Sequence, residues 1–432
     1  MMVFQSTLPS TGQGALKNRE NPRLLGTDKE HTLLNPADTF YRSNAIDFCR
    51  QQVSVDTFLF SSQYTDVATI GALSKFSAGQ LYYYPAFTAE RDGEKFKREL
   101  AHCLTRETGW EAVMRVRCTK GMRLTNFYGN HFLRGPDLLS LPTVNADATY
   151  AIELTHSDAL LSSSTISIQA AVLYTNSGGE RRIRVHNVCI PVTKLYAEMF
   201  RTADVDALCN IMAKSALETA LKTGLDSARS RLQNQCAEIV RAYRNSGAHG
   251  NKQGGGYQLT LPESLQLLPL YVMSLLKNSA FRGGTDLNAD ERAFLQHQLN
   301  NMPVVHSRRL ACDGIFLLED SLTLYLWVGR SAPPPLLDSL FGVQTMDGVD
   351  CRQLAIREPH DDISRRIGNI LSSIREERLP YSNLVIMREG DPSEGRYFWK
   401  LVEDRASFPG GSYSYSEYLG QITRLSLAGG GR

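Results

Sequence analysis

What the sequence lacks narrows it first. Its eight cysteines (Cys49, Cys103, Cys118, Cys189, Cys209, Cys236, Cys312 and Cys351) are scattered, with no CxxC pair and no histidine at zinc-ligand spacing. That argues against a disulfide framework or structural zinc site within these residues and for reduced thiols. There is no G-x-S-x-G elbow and no H-E-x-x-H, so two common hydrolytic chemistries have no foothold. The N-terminus has no basic segment followed by an apolar core, so no secretory leader is expected. The most apolar run, "LQLLPLYVMSLL" (265–276), is interrupted by Pro269 and falls short of the ~20 residues a bilayer span needs. Any membrane contact would be peripheral. Charge of one sign is missing too: 47 Lys and Arg face 45 Asp and Glu, for a formal net charge of +2. A dedicated nucleic-acid binder is usually more lopsided, so any basic function must be local. No 20–50-residue period repeats, which excludes a solenoid.

The sequence does contain enough apolar residues to bury cores: 42% are hydrophobic and 21% charged, a globular balance. At 432 residues the chain exceeds one core and predicts several domains. Residues 1–88 read as part of an α/β unit, with short β-rich runs "MMVF" and "VDTFLF" around the helical spacing of "ADTFYRSNAIDFCRQQ". "VATIGALSKFSAGQLYYYPAF" predicts one helix, a stop at Gly79 and a strand ending at Pro85. So few strands are too few for a parallel sheet, and the unit reads as the end of a domain whose start is missing. Residues 89–200 open on a charged helix and continue as an antiparallel β-sandwich. There "TISIQAAVLY" and "RRIRVHNV" flank the turn "TNSGGE" as a hairpin, and Ile183 and Val185 alternate with Arg182, Arg184 and His186 to predict one buried and one basic face. Residues 201–303 turn to helical periodicity, with a break at Gly224. Residues 304–428 return to α/β, closing on a helix in "GSYSYSEYLGQITRLS".

Most chemical candidates have a plain structural alternative. "STGQGALK" (10–17) has neither the P-loop nor the dinucleotide glycine spacing and reads as a turn. In "EPHDDISRR", His360, Asp361 and Asp362 could serve acid/base chemistry, but acidic residues before a helix more simply cap it. Phe127, Tyr128 and Phe132 could stack bases, yet Leu124, Leu133 and Leu138 around them suggest core. Arg115 and Arg117 share a strand face, two residues and so ~6.5–7 Å apart. Two planar donor forks at that separation suit a carboxylate-bearing peptide or phosphate groups; a solvated face with local ion pairs is the alternative. Arg181, Arg182 and Arg184 pose the same choice, with anionic lipid or phosphate as the ligand.

Longer stretches are more specific. "VFQSTLPSTGQGALKNRE", "ATIGALSKFSAGQLYYYPAF", "EAVMRVRCTKGMRLTNFYGNHFLRGPDLLSLP", "AVLYTNSGGERRIRVHNVCIPV", "LQLLPLYVMSLLKNSAFR" and "LYLWVG…LLDSLFG…LVEDR" occur in one order. Together they resemble the Sec24 family, the cargo-adaptor subunit of the COPII inner coat. The resemblance implies a multidomain α+β protein: the C-terminal part of an α/β (vWA-like) trunk, an antiparallel β-sandwich, an all-helical domain and a gelsolin-like α/β domain. It implies a cytoplasmic, non-enzymatic protein, peripheral on endoplasmic reticulum exit sites and vesicles. Its expected partners are the Sec23 coat subunit, membrane marked by the small Sar GTPase, and the cytosolic tails of SNAREs and other cargo, with no nucleic acid. An arginine pair in an "MRxR" strand helps form one family cargo site, and Arg115 and Arg117 match it. The family's zinc ribbon and most of its trunk have no counterpart here, so no cofactor is expected and the Sec23 contact is weakened. Near 303–306 a linker is absent, so the gelsolin-like domain should lack an opening strand; Trp399 is out of register with the aromatic residue of a further cargo site. The rival from another class is a gelsolin-like actin- or phosphoinositide-binding protein, resting on "LYLWVG".

Overall fold

The computed structural model describes residues 1–157, 163–246, 259, 261–301, 315–320, 323–377, 381–398, 400 and 413–428. Strands β1 (Met2–Gln5), β2 (Asp56–Leu59) and β3 (Leu81–Tyr83) form a parallel sheet in that order. Three strands, expected to be too few, suffice because both faces are covered. One face packs Leu59, Leu81 and Tyr83 against Leu34 of α1 (His31–Leu34), Tyr41 of α2 (Phe40–Arg50) and Val67 and Ile70 of α3 (Val67–Ile70). Gly71 separates α3 from α4 (Ala72–Phe76), so the expected single helix is two short ones. On the other face Phe58 stacks on Tyr82 with ring centroids 4.5 Å apart. Phe96 of α5 (Ala89–Thr105) stands edge-on to Phe58 at 6.1 Å. Helix α5, grouped with the sandwich by the boundary at 88, thus packs on the parallel sheet. Gly79 is required where it stands: a Cβ would lie 2.0 Å from the Val55 carbonyl oxygen. "STGQGALK" is a packed turn, with the Gly14 carbonyl accepting the Tyr41 hydroxyl at 2.8 Å and Leu16 buried.

Strands β4 (Thr108–Cys118), β5 (Met122–Tyr128), β6 (Phe132–Leu133), β7 (Leu138–Asn145), β8 (Ala151–His156), β9 (Thr165–Thr175) and β10 (Arg181–Pro191) are antiparallel. They make a five-stranded sheet, β10-β9-β4-β7-β6, faced by a two-stranded sheet, β5-β8. Ala112, Met114, Val116, Leu139 and Leu141 fill the space between, with Leu124, Phe127 and Ile152 from the smaller sheet. Phe127 is therefore core, and buried Tyr128 donates its hydroxyl to Glu153 at 3.0 Å, so neither forms a base-stacking platform. The hairpin over "TNSGGE" forms, but the expected buried face of its second strand does not. All eleven residues of β10 are exposed, because it is the sheet edge and two facing strands are too narrow to reach it.

Helices α6 (Tyr196–Arg201), α7 (Val205–Thr223), α8 (Leu225–Asn245), α9 (Leu268–Lys277) and α10 (Ala289–Asn301) follow. Gly224, at φ 98°, makes the expected break between α7 and α8, a conformation that glycine alone adopts without strain. Leu217, Leu232, Cys236, Val240, Leu268 and Val272 form the bundle core.

In the last region β11 (Ile315–Glu319) and β12 (Thr323–Val328) pair antiparallel, α11 (Pro334–Phe341) and α12 (Asp362–Glu377) flank them, and β13 (Asn383–Arg388) joins β12 in parallel before α13 (Glu394–Phe398). The "EPHDD" carboxylate is a cap: Asp361 accepts from the Ser364 amide at 2.7 Å and the Ser339 hydroxyl at 2.5 Å. Helix α14 (Tyr415–Ala428) leaves this sheet for the bundle, where Tyr418 and Ile422 are buried and Arg241 donates to the Ser426 and Leu425 carbonyls. The region 303–306 and Trp399 lie outside the described residues.

The parallel sheet and the bundle are joined by buried polar contacts. Glu30 and Arg292, both 0% exposed, pair at 2.5 Å. The Asp290 carboxylate accepts from the Thr65 and Val67 amides at 2.6 and 2.8 Å, and Gln298 donates to the Leu81 carbonyl at 2.9 Å.

Candidate functional site

Strand β4 sets the geometry. Ala112, Met114 and Val116 point into the sandwich, so Val113, Arg115 and Arg117 line its outer face. Cross-strand pairing extends this face into three rows: Val113–Leu173–Ile183, Arg115–Ala171–Val185 and Arg117–Gln169–Asn187. An apolar row thus borders two arginines, and Ile183 is 68% exposed.

The two arginines differ. Arg115 is held in a two-point pair with Asp137, Nε to Oδ2 at 2.8 Å and Nη2 to Oδ1 at 3.1 Å. Asp137 sits there because Arg115 is paired with Leu138, the next residue along, across β7. Hydrogen bonding to Arg115, its charge and that of Arg117 hold the Asp137 carboxyl below its usual range, partly offset by desolvation. Arg117 is exposed and makes no hydrogen bond or ion pair among the described residues. The two equivalent forks expected from spacing are thus one open fork and one already holding a carboxylate, which an incoming acid would have to share or displace.

Arg181, Arg182 and Arg184 do not converge. Arg181 lies on the outer face, donating to Thr175 Oγ1 at 2.8 Å and the Glu111 carbonyl at 3.1 Å. Arg182 and Arg184 point the other way, opposite Tyr174 and Val172. Arg182 is tied to Glu180, with Nε to Oε2 at 3.0 Å, and only Arg184 has no ion pair among the described residues.

Comparison with known proteins settles the kinship. The Sec23/Sec24 trunk model matches residues 1–104, the β-sandwich model 109–193 and the helical model 204–309. Mouse protein transport protein Sec24A is 37% identical over 97% of this chain and 41% of its own length. The chain belongs to the Sec24 family. Arabidopsis thaliana SEC24 A is 35% identical, over 98% of this chain and 44% of its own length. The crystal structure of the human COPII-coat protein Sec24c superposes with a TM-score of 0.91 at 30% identity, covering 99% of this chain and 60% of that one. The chain spans less than half the length of these curated Sec24 relatives. With trunk, sandwich and helical domains all matched, the gelsolin-like actin- or phosphoinositide-binding alternative is not favoured.

A second feature of this Sec24-family chain escaped sequence reasoning. A cavity of about 620 Å³ opens where trunk, bundle and C-terminal sheet meet, lined by Tyr83, Tyr84, Lys95, Phe294, Tyr325 and Val385 among others. These six residues alone come from five separate elements or their ends, so no local pattern announces it. Tyr84 donates to Glu99 at 2.6 Å and Lys95 lies 5.9 Å from the Tyr84 ring centroid. Among the described residues no group of three His, Cys, Asp or Glu is placed to hold a metal ion, and no helix is long and apolar enough to cross a membrane.

Proposed function

We propose that this chain acts as a COPII-type cargo adaptor, holding cytosolic sorting signals by non-covalent contact and carrying out no catalysis. The observation that carries this reading is the outer face of the sandwich, where the open Arg117 fork and the Arg115–Asp137 pair border the row Val113, Leu173 and Ile183. A short extended peptide with one acidic and one aliphatic residue meets both demands. Its carboxylate gains a charge-assisted hydrogen bond from Arg117, and its aliphatic side chain covers an exposed apolar strip. Such ligands are the cytosolic tails of SNAREs and other cargo. The relatives' names, protein transport proteins and a COPII-coat protein, support the same reading. Its setting would be the cytoplasmic face of endoplasmic reticulum exit sites marked by the small Sar GTPase, beside a Sec23 subunit. Arg184, exposed and without an ion pair among the described residues, is the member of the basic hairpin best placed to meet anionic lipid or phosphate.

Fluorescence anisotropy with labelled SNARE-tail peptides carrying an acid beside an aliphatic residue tests this. Arg117→Ala should weaken binding about tenfold, the scale of one charge-assisted hydrogen bond, and Arg115→Ala by less. Unchanged binding in both variants, or none in the wild type, would overturn it.

A further inference from the structure

We propose that Ser246, at the C-terminal end of α8, is a phosphorylation site for a basophilic serine kinase, and that its phosphate undocks α14 from the helical bundle. Helix α14 has no basic residue in its own last turn, so cations for its final carbonyls have to come from elsewhere. They come from α8. Arg241 donates to the Ser426 carbonyl from Nε at 3.1 Å and to the Leu425 carbonyl from Nη2 at 3.0 Å. Arg244 adds Nη2 to the same Ser426 carbonyl at 2.9 Å. Two guanidinium groups thus cap the negative end of α14. The same arginines stand five and two residues before Ser246 in "RAYRNS" (241–246). Arginines two to five residues ahead of a serine are the charge pattern that the acidic groove of a basophilic kinase selects.

The position of Ser246 suits both the transfer and its consequence. Its amide closes α8 on the Ala242 and Tyr243 carbonyls at 3.0 and 3.2 Å, and its hydroxyl donates to the Tyr243 carbonyl at 2.6 Å. It is half-buried and follows the exposed Asn245, at a helix end, where fraying of a residue or two presents it. Ser426, two residues after Arg424, is only 1% exposed and out of a kinase's reach. In the transfer Ser246 Oγ bonds to the γ-phosphorus of ATP and the bond to the β–γ bridging oxygen breaks. ADP leaves and the hydroxyl proton passes to the kinase's base. The product places nearly two negative charges at the C-terminal end of α8, where they are unfavourable unless a cation meets them. Arg244 and Arg241 lie two and five residues back, ~3 and ~7.5 Å along the axis and so within a Debye length of about 8 Å. The phosphate draws these guanidinium groups from α14 and repels the carbonyls they cap. A kinase must hold the same arginines, so it selects chains with α14 released, and the phosphate then keeps them so.

Incubating the full chain with Mg-ATP and the catalytic subunits of protein kinase A and protein kinase C, then locating phosphate by tandem mass spectrometry, tests the site. At least one kinase should phosphorylate Ser246, and Ser246→Ala should take up no phosphate there while keeping α14 protected. Hydrogen exchange on the phosphorylated chain tests the consequence. Protection of residues 415–428 should fall about tenfold or more, the worth of a lost charge-assisted hydrogen bond, with β4 and β9 unchanged and a phosphatase restoring it. Unphosphorylated Arg241→Gln/Arg244→Gln should show the same loss confined to α14, which ties the effect to the two arginines. Absence of phosphate on Ser246 with both kinases overturns the inference. So does a phosphorylated chain, or the double arginine variant, whose α14 keeps its full protection.

Discussion

Breaking the pair that joins the trunk to the bundle should be costly, and the structure says how. Arg292 is 0% exposed and donates to Glu30 Oε1 at 2.5 Å and to the Ser279 and Arg282 carbonyls at 2.8 Å each. Glu30 accepts the Gly26 amide at 2.8 Å on its other oxygen. Replacing Arg292 by Met removes the cation but leaves the Glu30 carboxylate enclosed without its partner, and leaves the Ser279, Arg282 and Gly284 carbonyls without this donor. Loss of one partner of a buried pair costs about 3–5 kcal/mol. Glu30→Gln strands the arginine instead and should cost a similar amount. The double variant Glu30→Gln/Arg292→Met leaves no uncompensated charge, so its loss should fall at least ~2 kcal/mol short of the sum of the singles. Urea unfolding followed by circular dichroism measures these losses. Hydrogen exchange should show protection falling first at Thr65–Ile70 and Ala289–Asn301, the two sides of the joint. A single-variant loss below ~1 kcal/mol, or additive singles, would refute the reasoning that the pair is isolated from water.

Three further outcomes follow from packing and titration. His297 packs against Asn130, with ring Nε2 and Nδ2 3.3 Å apart, and burial first, with the Lys75 charge adding to it, pushes His131 and His297 down to about 4 and about 3. The unfolded chain then binds more protons below about pH 6.5, so stability is full above that pH and falls as pH drops, by up to ~1.4 kcal/mol per unit per histidine; His297→Gln should flatten the slope in acid unfolding scans. Asp290, raised to about 6 mainly by burial, works in the opposite sense, its contribution falling as pH rises from about 4 to 6, and Asp290→Asn should remove that component from the same scans. Tyr418→Ala should cost about 3–5 kcal/mol and lower exchange protection in α8 and α9 rather than in β11–β13, because α14 is part of the bundle core.

Periodicity made the elements legible where neighbours in sequence are neighbours in space. The β9–β10 hairpin, the α7–α8 break at Gly224 and the strands of the last sheet all follow local signals. What escaped was decided by distant contacts. Helix α5 looks like a charged surface helix, yet Phe96 and Leu100 dock it on Phe58 and Tyr82. Alternation along β10 promised a buried face, but alternation reports which residues share a side, not whether anything covers it. Helix α14 joins the bundle through Tyr418 and Ile422, across the whole last sheet in sequence. At the candidate site, β4 alternation placed Arg115 and Arg117 together, but Asp137 became visible only through the β4–β7 register. The apolar row and the 620 Å³ cavity likewise needed the assembled sheets.

An acidic signal bonded to the open Arg117 lies beside the Arg115–Asp137 pair and should compete with Asp137 for Arg115. Calorimetric titration of Asp137→Asn with an acidic, aliphatic-bearing cargo peptide measures that competition. Asp137 and Arg115 are partly exposed, so removing the resident charge should strengthen binding only modestly, about three- to fivefold, with the gain lost when Arg115→Ala is added. Weaker or unchanged affinity in Asp137→Asn, with the sandwich intact, would show that Asp137 does not compete with the peptide for Arg115.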